Sequence, residues 1–277
     1  MSEPMVLYQT NEKIGIITLN RPESLNAIST QLRSELTVAF QQADADPATV
    51  VVVLRANGRS FCAGYDISSG GADKESWRHD ALKWHARLAE ELEFEMIPWY
   101  MRKPVIASVQ GHALGGGCEI TMFCDITIAA DNALFGEPEV RFSSIGPAIV
   151  MPWLVGYKKA RELLYLGDMI DAEEARRLGM VNRVVPLAEL GPATMKFARR
   201  LALIAPEALY AGKLAINRGA DVAGFRNAMQ AGLDMMAPLY AAKSEVGLRF
   251  KEITREHGLR AALKWRRDQF EAVEQPE

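Results

Sequence analysis

Two short apolar stretches open the chain, Val6 to Tyr8 and Ile14 to Leu19, the second reading Ile-Gly-Ile-Ile-Thr-Leu. Short β-rich runs separated by turn residues predict neighbouring strands. After Asn20-Arg21-Pro22 the period changes. Leu32, Leu36 and Phe40 recur at i, i+4 and i+8, with Ser29 as N-cap and Asp46-Pro47 as terminator, which predicts a helix between them. Val50 to Leu54 is an unbroken run, expected as a strand buried on both faces. A loop follows, with Gly64 and a tip at Gly70-Gly71. From about Lys74 to Met101 the pattern is helical, carrying Leu82, Leu88, Leu92, Met96 and the tryptophans Trp77, Trp84 and Trp99, with Pro98 ending or kinking it. Strands are predicted at Val105 to Val109, Ile126 to Ala130, Ala133 to Phe135 and Met180 to Val185. Helices dominate from Pro147 and take over beyond Pro206. Strand and helix alternate to about residue 186, which predicts an α/β core over residues 1–190; the Ala-, Leu- and Met-rich remainder, residues 191–277, predicts a helical cap or oligomer interface. No sequence repeat of fixed period is evident.

Composition narrows the class. The 277 residues are 49% hydrophobic and 24% charged, as in an ordinary globular protein. Thirty-two Lys and Arg against 35 Asp and Glu leave a net charge of −3, which offers no footprint for a polyanion, so nucleic acid is not expected as a partner. The first residues lack the charged and apolar regions of a signal peptide, and no run approaches the roughly 20 apolar residues of a bilayer span. A soluble, cytoplasmic protein with no membrane partner is expected. Cys62, Cys118 and Cys124 are read as buried free thiols, and no cluster has metal spacing, so neither a metal nor a cofactor is anticipated.

Candidate chemistry gathers where the 21 glycines cluster. Gly115-Gly116-Gly117 stands between a strand and a helix start, where absent side chains and free N–H groups suit an anion or oxyanion. The spacing fits neither phosphate-loop pattern. Without a ligand, the same triplet is a close helix–sheet crossing. Glu119 falls in the first helical turn, where a capping role also accounts for it. Glu139 follows Pro138 in a stiff segment, and Glu137 is expected to point the other way if that segment is extended. Two carboxyls on rigid elements beside a backbone oxyanion hole can divide acid and base work. Phe61-Cys62-Ala63-Gly64-Tyr65-Asp66 is a second loop able to supply N–H donors. His112 and Cys118 raise a thiol-nucleophile alternative, but a small core side chain is the simpler account of Cys118. Gly58-Arg59-Ser60-Phe61-Cys62 fails the serine-hydrolase pattern at its last position. The three tryptophans are read first as helix packing.

Several of these strings, in order and spacing, resemble the crotonase (enoyl-CoA hydratase/isomerase) family: Leu19-Asn20-Arg21-Pro22 with Asn26-Ala27, residues 61–66, Lys103 to Ala107, Gly111 to Glu119, Cys124-Asp125 and Phe135 to Glu139. The resemblance spans about residues 5–190. It implies an α/β spiral of strand-strand-helix units with a C-terminal helical oligomerisation region, assembled as a homotrimer or a dimer of trimers. It further implies an acyl-CoA thioester substrate, with the main-chain N–H groups of Tyr65 and Gly116 as oxyanion hole and Glu119 and Glu139 as the acid/base pair. Ser24, Leu25, Ala27, Ala63, Asp66, Ile67 and Gly115 match substrate-binding positions. Coenzyme A is then part of the substrate, and no separate cofactor is implied. Two carboxyls suit hydration, since family isomerases commonly manage with one. The resemblance therefore points to an enoyl-CoA hydratase, with a double-bond isomerase or another acyl-CoA lyase as alternative and a non-catalytic acyl-CoA binder as a reading of another class. Three departures stand out. Ile145-Gly146-Pro147 replaces a glycine-rich continuation and removes an N–H at 147; the segment between Asp66 and Lys103 is long, which implies a remodelled acyl pocket; and Glu23 stands near the expected phosphate site, leaving Arg21 or a more distant basic residue to hold the phosphates.

Overall fold

The computed structural model describes residues 3–68, 76–242 and 244–274. The Gly70-Gly71 tip and the expected helix start near Lys74 lie outside these residues. In chain order the elements are β1 (Val6–Asn11), β2 (Ile14–Leu19), α1 (Thr30–Ala45), β3 (Val51–Ala56), α2 (Ala81–Glu95), α3 (Ile97–Tyr100), β4 (Val105–Val109), β5 (His112–Leu114), α4 (Gly116–Phe123), β6 (Ile126–Ala130) and β7 (Leu134–Gly136). They continue with α5 (Met151–Val155), α6 (Tyr157–Leu166), β8 (Ile170–Asp171), α7 (Ala172–Leu178), β9 (Arg183–Val185), α8 (Leu190–Leu201), α9 (Pro206–Val222), α10 (Phe225–Ala241), α11 (Glu245–His257) and α12 (Leu259–Glu274).

The principal sheet runs β1-β2-β3-β4-β6-β9, with β1 antiparallel to β2 and the other pairs parallel. A smaller sheet runs β5-β7-β8. After β4, and again after β6, the chain steps within a few residues from the large sheet to the small one and then turns into helix, the strand-strand-helix rhythm expected of a spiral.

Parallel strands must be covered on both faces, which is why their sequences are apolar throughout. In β3, Val52 and Leu54 face α1, while Val51 and Val53 join Ile14 and Ile16 of β2 under α8. Leu32, Leu36 and Phe40 of α1 are fully buried, each contributing about 1.5–3 kcal/mol. Ser29 Oγ accepts from Leu32 N at 3.1 Å, the expected N-cap.

Two expected elements are shorter than the pattern implied. The helix of residues 74–101 begins only at Ala81, capped by Asp80 and with Trp77 in the preceding turn, and is broken ahead of Pro98. Of Met180 to Val185 only Arg183–Val185 is strand, because Met180 N bonds back to Ala175 O and closes α7 at Gly179.

The helical tail is tied to the sheet domain. Phe225, Met229 and Leu233 of α10 belong to the same apolar core as β2 to β4. Trp84 on α2 meets Trp77 at 5.1 Å and Tyr240 at 4.9 Å, and Trp99 stacks on Phe225 at 4.5 Å, so the tryptophans are packing residues. Lys213 of α9 is 7% exposed and donates to Asp125 Oδ2 at 2.7 Å and to the Pro98 carbonyl at 2.6 Å. Removing one partner of a buried pair leaves the other charge stranded. Lys213→Met should therefore lower stability by about 3–5 kcal/mol in urea unfolding, and a loss under about 1 kcal/mol would place the pair with surface ion pairs.

Candidate active site

The site is built where residues 61–66 lie across the start of α4. Cys62 N donates to His112 O and Leu114 N to Cys62 O, both at 2.9 Å, stitching the loop to β5. Such proximity requires glycine in the facing turn. A Cβ at 117 would stand 2.6 Å from the Cys62 carbonyl, and one at 116 would stand 2.7 Å from the Tyr65 ring. The N–H groups of Tyr65 and Gly116 donate to no backbone carbonyl among the described residues, and Gly116 opens its helix.

The remaining matched positions form one ledge. Ala63 N donates to Leu25 O, Ile28 N to Gly64 O and Asp66 N to Ile28 O, which bring Ser24, Leu25 and Ala27 beside Ala63, Asp66 and Ile67. Leu25 and Asn26 both adopt positive φ. Asn26, fully buried, holds that turn by accepting from Arg21 N and donating to Asn57 O and Ser60 O. Arg21 is bound inward, to Asp66 at 2.7 Å and to the Ala27 carbonyl at 3.1 Å. Against the cost of burial, hydrogen bonds from Ser68 and Arg21 hold the Asp66 carboxyl below its ordinary range.

Glu119 and Glu139 approach one another from two elements. Glu119, 1% exposed, comes from α4; Glu139 sits in the 3-10 turn Pro138–Phe142, its carboxylate against Gly115. Gly146 covers the Glu119 carboxylate so closely that a Cβ there would overlap it. Among the described residues, neither Glu119 oxygen has a hydrogen-bond donor. Burial, then the charges of Glu95 and Glu139, push the Glu119 carboxyl well up, and burial pushes Glu139 up to about 7.

The connection from β7 to Glu139 also buries Glu137. The chain leaves extended geometry at Pro138, and Glu137 is 3% exposed with its carboxyl pushed up by burial and by Glu119 and Glu139. Glu95, at the end of α2, is 0% exposed and accepts the Tyr65 hydroxyl at 2.7 Å. Sequence reasoning missed it, although one signal was present: Trp84, Leu88, Glu91 and Glu95 share one helical face, so acids interrupt an apolar stripe. Buried Cys62 and Cys118 do not favour thiolate chemistry, for burial pushes Cys62 up to about 12 and Cys118 well above its ordinary value.

The enoyl-CoA hydratase/isomerase family model matches residues 9–256. The chain belongs to this family. A crotonyl-CoA hydratase of Syntrophomonas wolfei is 35% identical over 98% of this chain and 99% of its own. A short-chain-enoyl-CoA hydratase of Clostridium acetobutylicum is 37% identical over 77% of this chain and 81% of its own. An enoyl-CoA hydratase/isomerase structure from Xanthobacter autotrophicus superposes with a TM-score of 0.90 at 34% identity, covering 99% of both chains. The two-sheet spiral with trailing helices is thus the enoyl-CoA hydratase/isomerase fold.

The acids in this family member carry a consequence for stability. Glu139 titrates near 4.5 when exposed and at about 7 in the fold, so the folded state retains its proton to higher pH. Stability from this carboxyl is complete below pH 4.5 and is lost as pH rises through about 7. Glu139→Gln should make the decline of stability over this window shallower in urea unfolding; an unchanged slope would show that Glu139 ionises as an ordinary surface acid.

Proposed function

We propose that the chain adds water, syn, across the double bond of a 2-enoyl-CoA thioester. The observation that carries this reading is the convergence of two carboxyls, Glu119 and Glu139, on a crossing that also presents the unengaged N–H groups of Tyr65 and Gly116. Hydratase names among relatives covering most of the chain support it.

In this mechanism the thioester oxygen accepts from Tyr65 N and Gly116 N. Water bonds through oxygen to the β-carbon, the π electrons move to the α-carbon, and the negative charge spreads onto the thioester oxygen as an enolate. Fixed N–H donors stabilise that charge as it develops. One carboxyl takes a proton from the water and the other delivers one to the α-carbon, after which a proton passes between them to restore the pair. Residues Ser24, Leu25, Ala27, Ala63, Asp66, Ile67 and Gly115 line the coenzyme path. Arg21 pairs with Asp66 through Nη1, and either its remaining N–H groups or a more distant basic residue holds the coenzyme's phosphates. Exposed apolar side chains on α9 and α10, Ile216 and Met235 among them, support self-association, which in this reading is a homotrimer or dimer of trimers, and the reading places the protein in the cytoplasm.

A panel of short, long and aromatic 2-enoyl-CoA esters, scored for hydration and for double-bond migration, tests the reading. Glu119→Gln and Glu139→Gln should each reduce kcat for hydration by about 10² or more. Migration that survives in a folded Glu139→Gln protein would establish an isomerase instead. Binding without turnover across all chain lengths would establish a non-catalytic acyl-CoA binder. Cys118→Ala should leave turnover nearly intact, and a trapped acyl-thioester on Cys118 would overturn the two-carboxyl mechanism.

A further inference from the structure

Glu95 has no part in the reaction outlined above, yet it is fully buried against the residues that do. Its Oε1 accepts the Tyr65 hydroxyl at 2.7 Å; its Oε2 is buried without a donor among the described residues, as are both oxygens of Glu119. The two carboxyls lie within hydrogen-bonding reach of one another. Ionised carboxylates only accept, so two of them facing each other repel, whereas a single proton between them makes a charge-assisted hydrogen bond.

We propose that Glu95 and Glu119 hold one proton between them, and that Glu95 is the positioning residue that sets the orientation and proton state of Glu119. The hydratase reading is needed only to call Glu119 catalytic; the sharing of the proton is independent of it. The loop after Glu139 supplies the reason for the arrangement. It lays Gly146 over the Glu119 carboxyl and then presents Pro147, which has no N–H, so the partner comes from α2 instead.

Tyr65 determines which oxygen keeps the proton. Its O–H donates to Glu95 and favours the anion there, leaving the proton on Glu119. Burial, opposed by this hydrogen bond, raises Glu95; burial and then the charge of Glu95 raise Glu119. The surrounding groups act in the same sense. Glu91, bonded by Arg87 Nε at 2.7 Å, faces the pair from α2, Glu137 and Glu139 from beyond β7, and Tyr240 from α10. The three acids disfavour a second negative charge in the pair. Tyr65 thus acts at two points, leaving its N–H free of any backbone carbonyl among the described residues and donating its hydroxyl to Glu95.

Infrared spectroscopy of the full chain at neutral pH tests the proton directly. The difference between wild type and Glu119→Gln should contain the C=O band of a neutral carboxylic acid. In a Glu95→Gln background the like charge is gone and the amide can donate to an ionised Glu119. The same difference should then lose the band, or show it only at a pH lower by about one unit or more. Tyr65→Phe, which keeps the backbone N–H, serves as the second variant and should shift the proton toward Glu95 and weaken the Glu119 band. A band with unchanged pH midpoint in both backgrounds overturns the proposal. For hydration, Glu95→Gln should lower kcat about tenfold with KM unchanged and move the Glu119 limb of the pH profile downward; an unaltered profile overturns the positioning role. Failure of wild type to hydrate any enoyl-CoA would defeat the hydratase reading while the infrared result still decides the shared proton.

Discussion

The contact between residues 61–66 and the glycine turn before α4 governs the rest of the structure. Two backbone segments approach until a single added carbon at 116 or 117 would collide with a tyrosine ring or a carbonyl. Everything around the contact follows from that distance. Leu114 N can donate to Cys62 O and Cys62 N to His112 O, the N–H of Gly116 at the start of α4 donates to no backbone carbonyl among the described residues, and Glu119, one turn further on, is aimed inward rather than toward solvent. The small β5-β7-β8 sheet holds the turn from behind, with Gly115 N donating to Gly136 O at 2.9 Å. The same connection leads through Glu137 and Pro138 to Glu139, so both acids are positioned by one piece of scaffolding.

Placing four carboxyls in so small a volume works against the fold. Each acid must remain neutral or find a donor, since an isolated buried carboxylate is very costly. Among the described residues, Glu95 accepts the Tyr65 hydroxyl and Glu139 a backbone N–H, while neither oxygen of Glu119 has a donor. Burial raises the proton affinity of all four, and neighbouring acids raise that of Glu95, Glu119 and Glu137 further, which favours proton exchange among them. Stability for this arrangement comes from outside the site. Trp84 and Leu88 pack α2 onto the core and Tyr240 of α10, while Lys213 pins α9 to Asp125 beside α4. The helical tail therefore helps to hold the acids in place, although its sequence carries none of the recognisable motifs.

Much of this was legible in the chain. The β-branched runs and the i, i+4 spacing of Leu32, Leu36 and Phe40 announced the sheet and its first covering helix, because both faces of a parallel strand and one face of a helix must be apolar. The glycine triplet with Glu119, the loop at 61–66 and the Pro138-Glu139 pair marked the site for a local reason: each needs a special backbone within a few residues. The order and spacing of these strings were enough to suggest the family.

What the linear pattern left undecided depends on contacts between distant residues. The surroundings of Glu137 could not be read from alternation, which holds only while a strand stays extended, and β7 ends at Gly136. Glu95 is one of four acids in a helix where Glu90 and Glu93 are exposed; only the packing of α2 between α4 and α10 decides that it is buried beside Tyr65 and Glu119. The sequence by itself determined the fold class and two of the acids, since backbone geometry and amphipathic period are local properties. Tertiary structure alone decided how many carboxyls share the site and which can share protons, because desolvation and charge repulsion depend on what surrounds a group rather than on its neighbours along the chain.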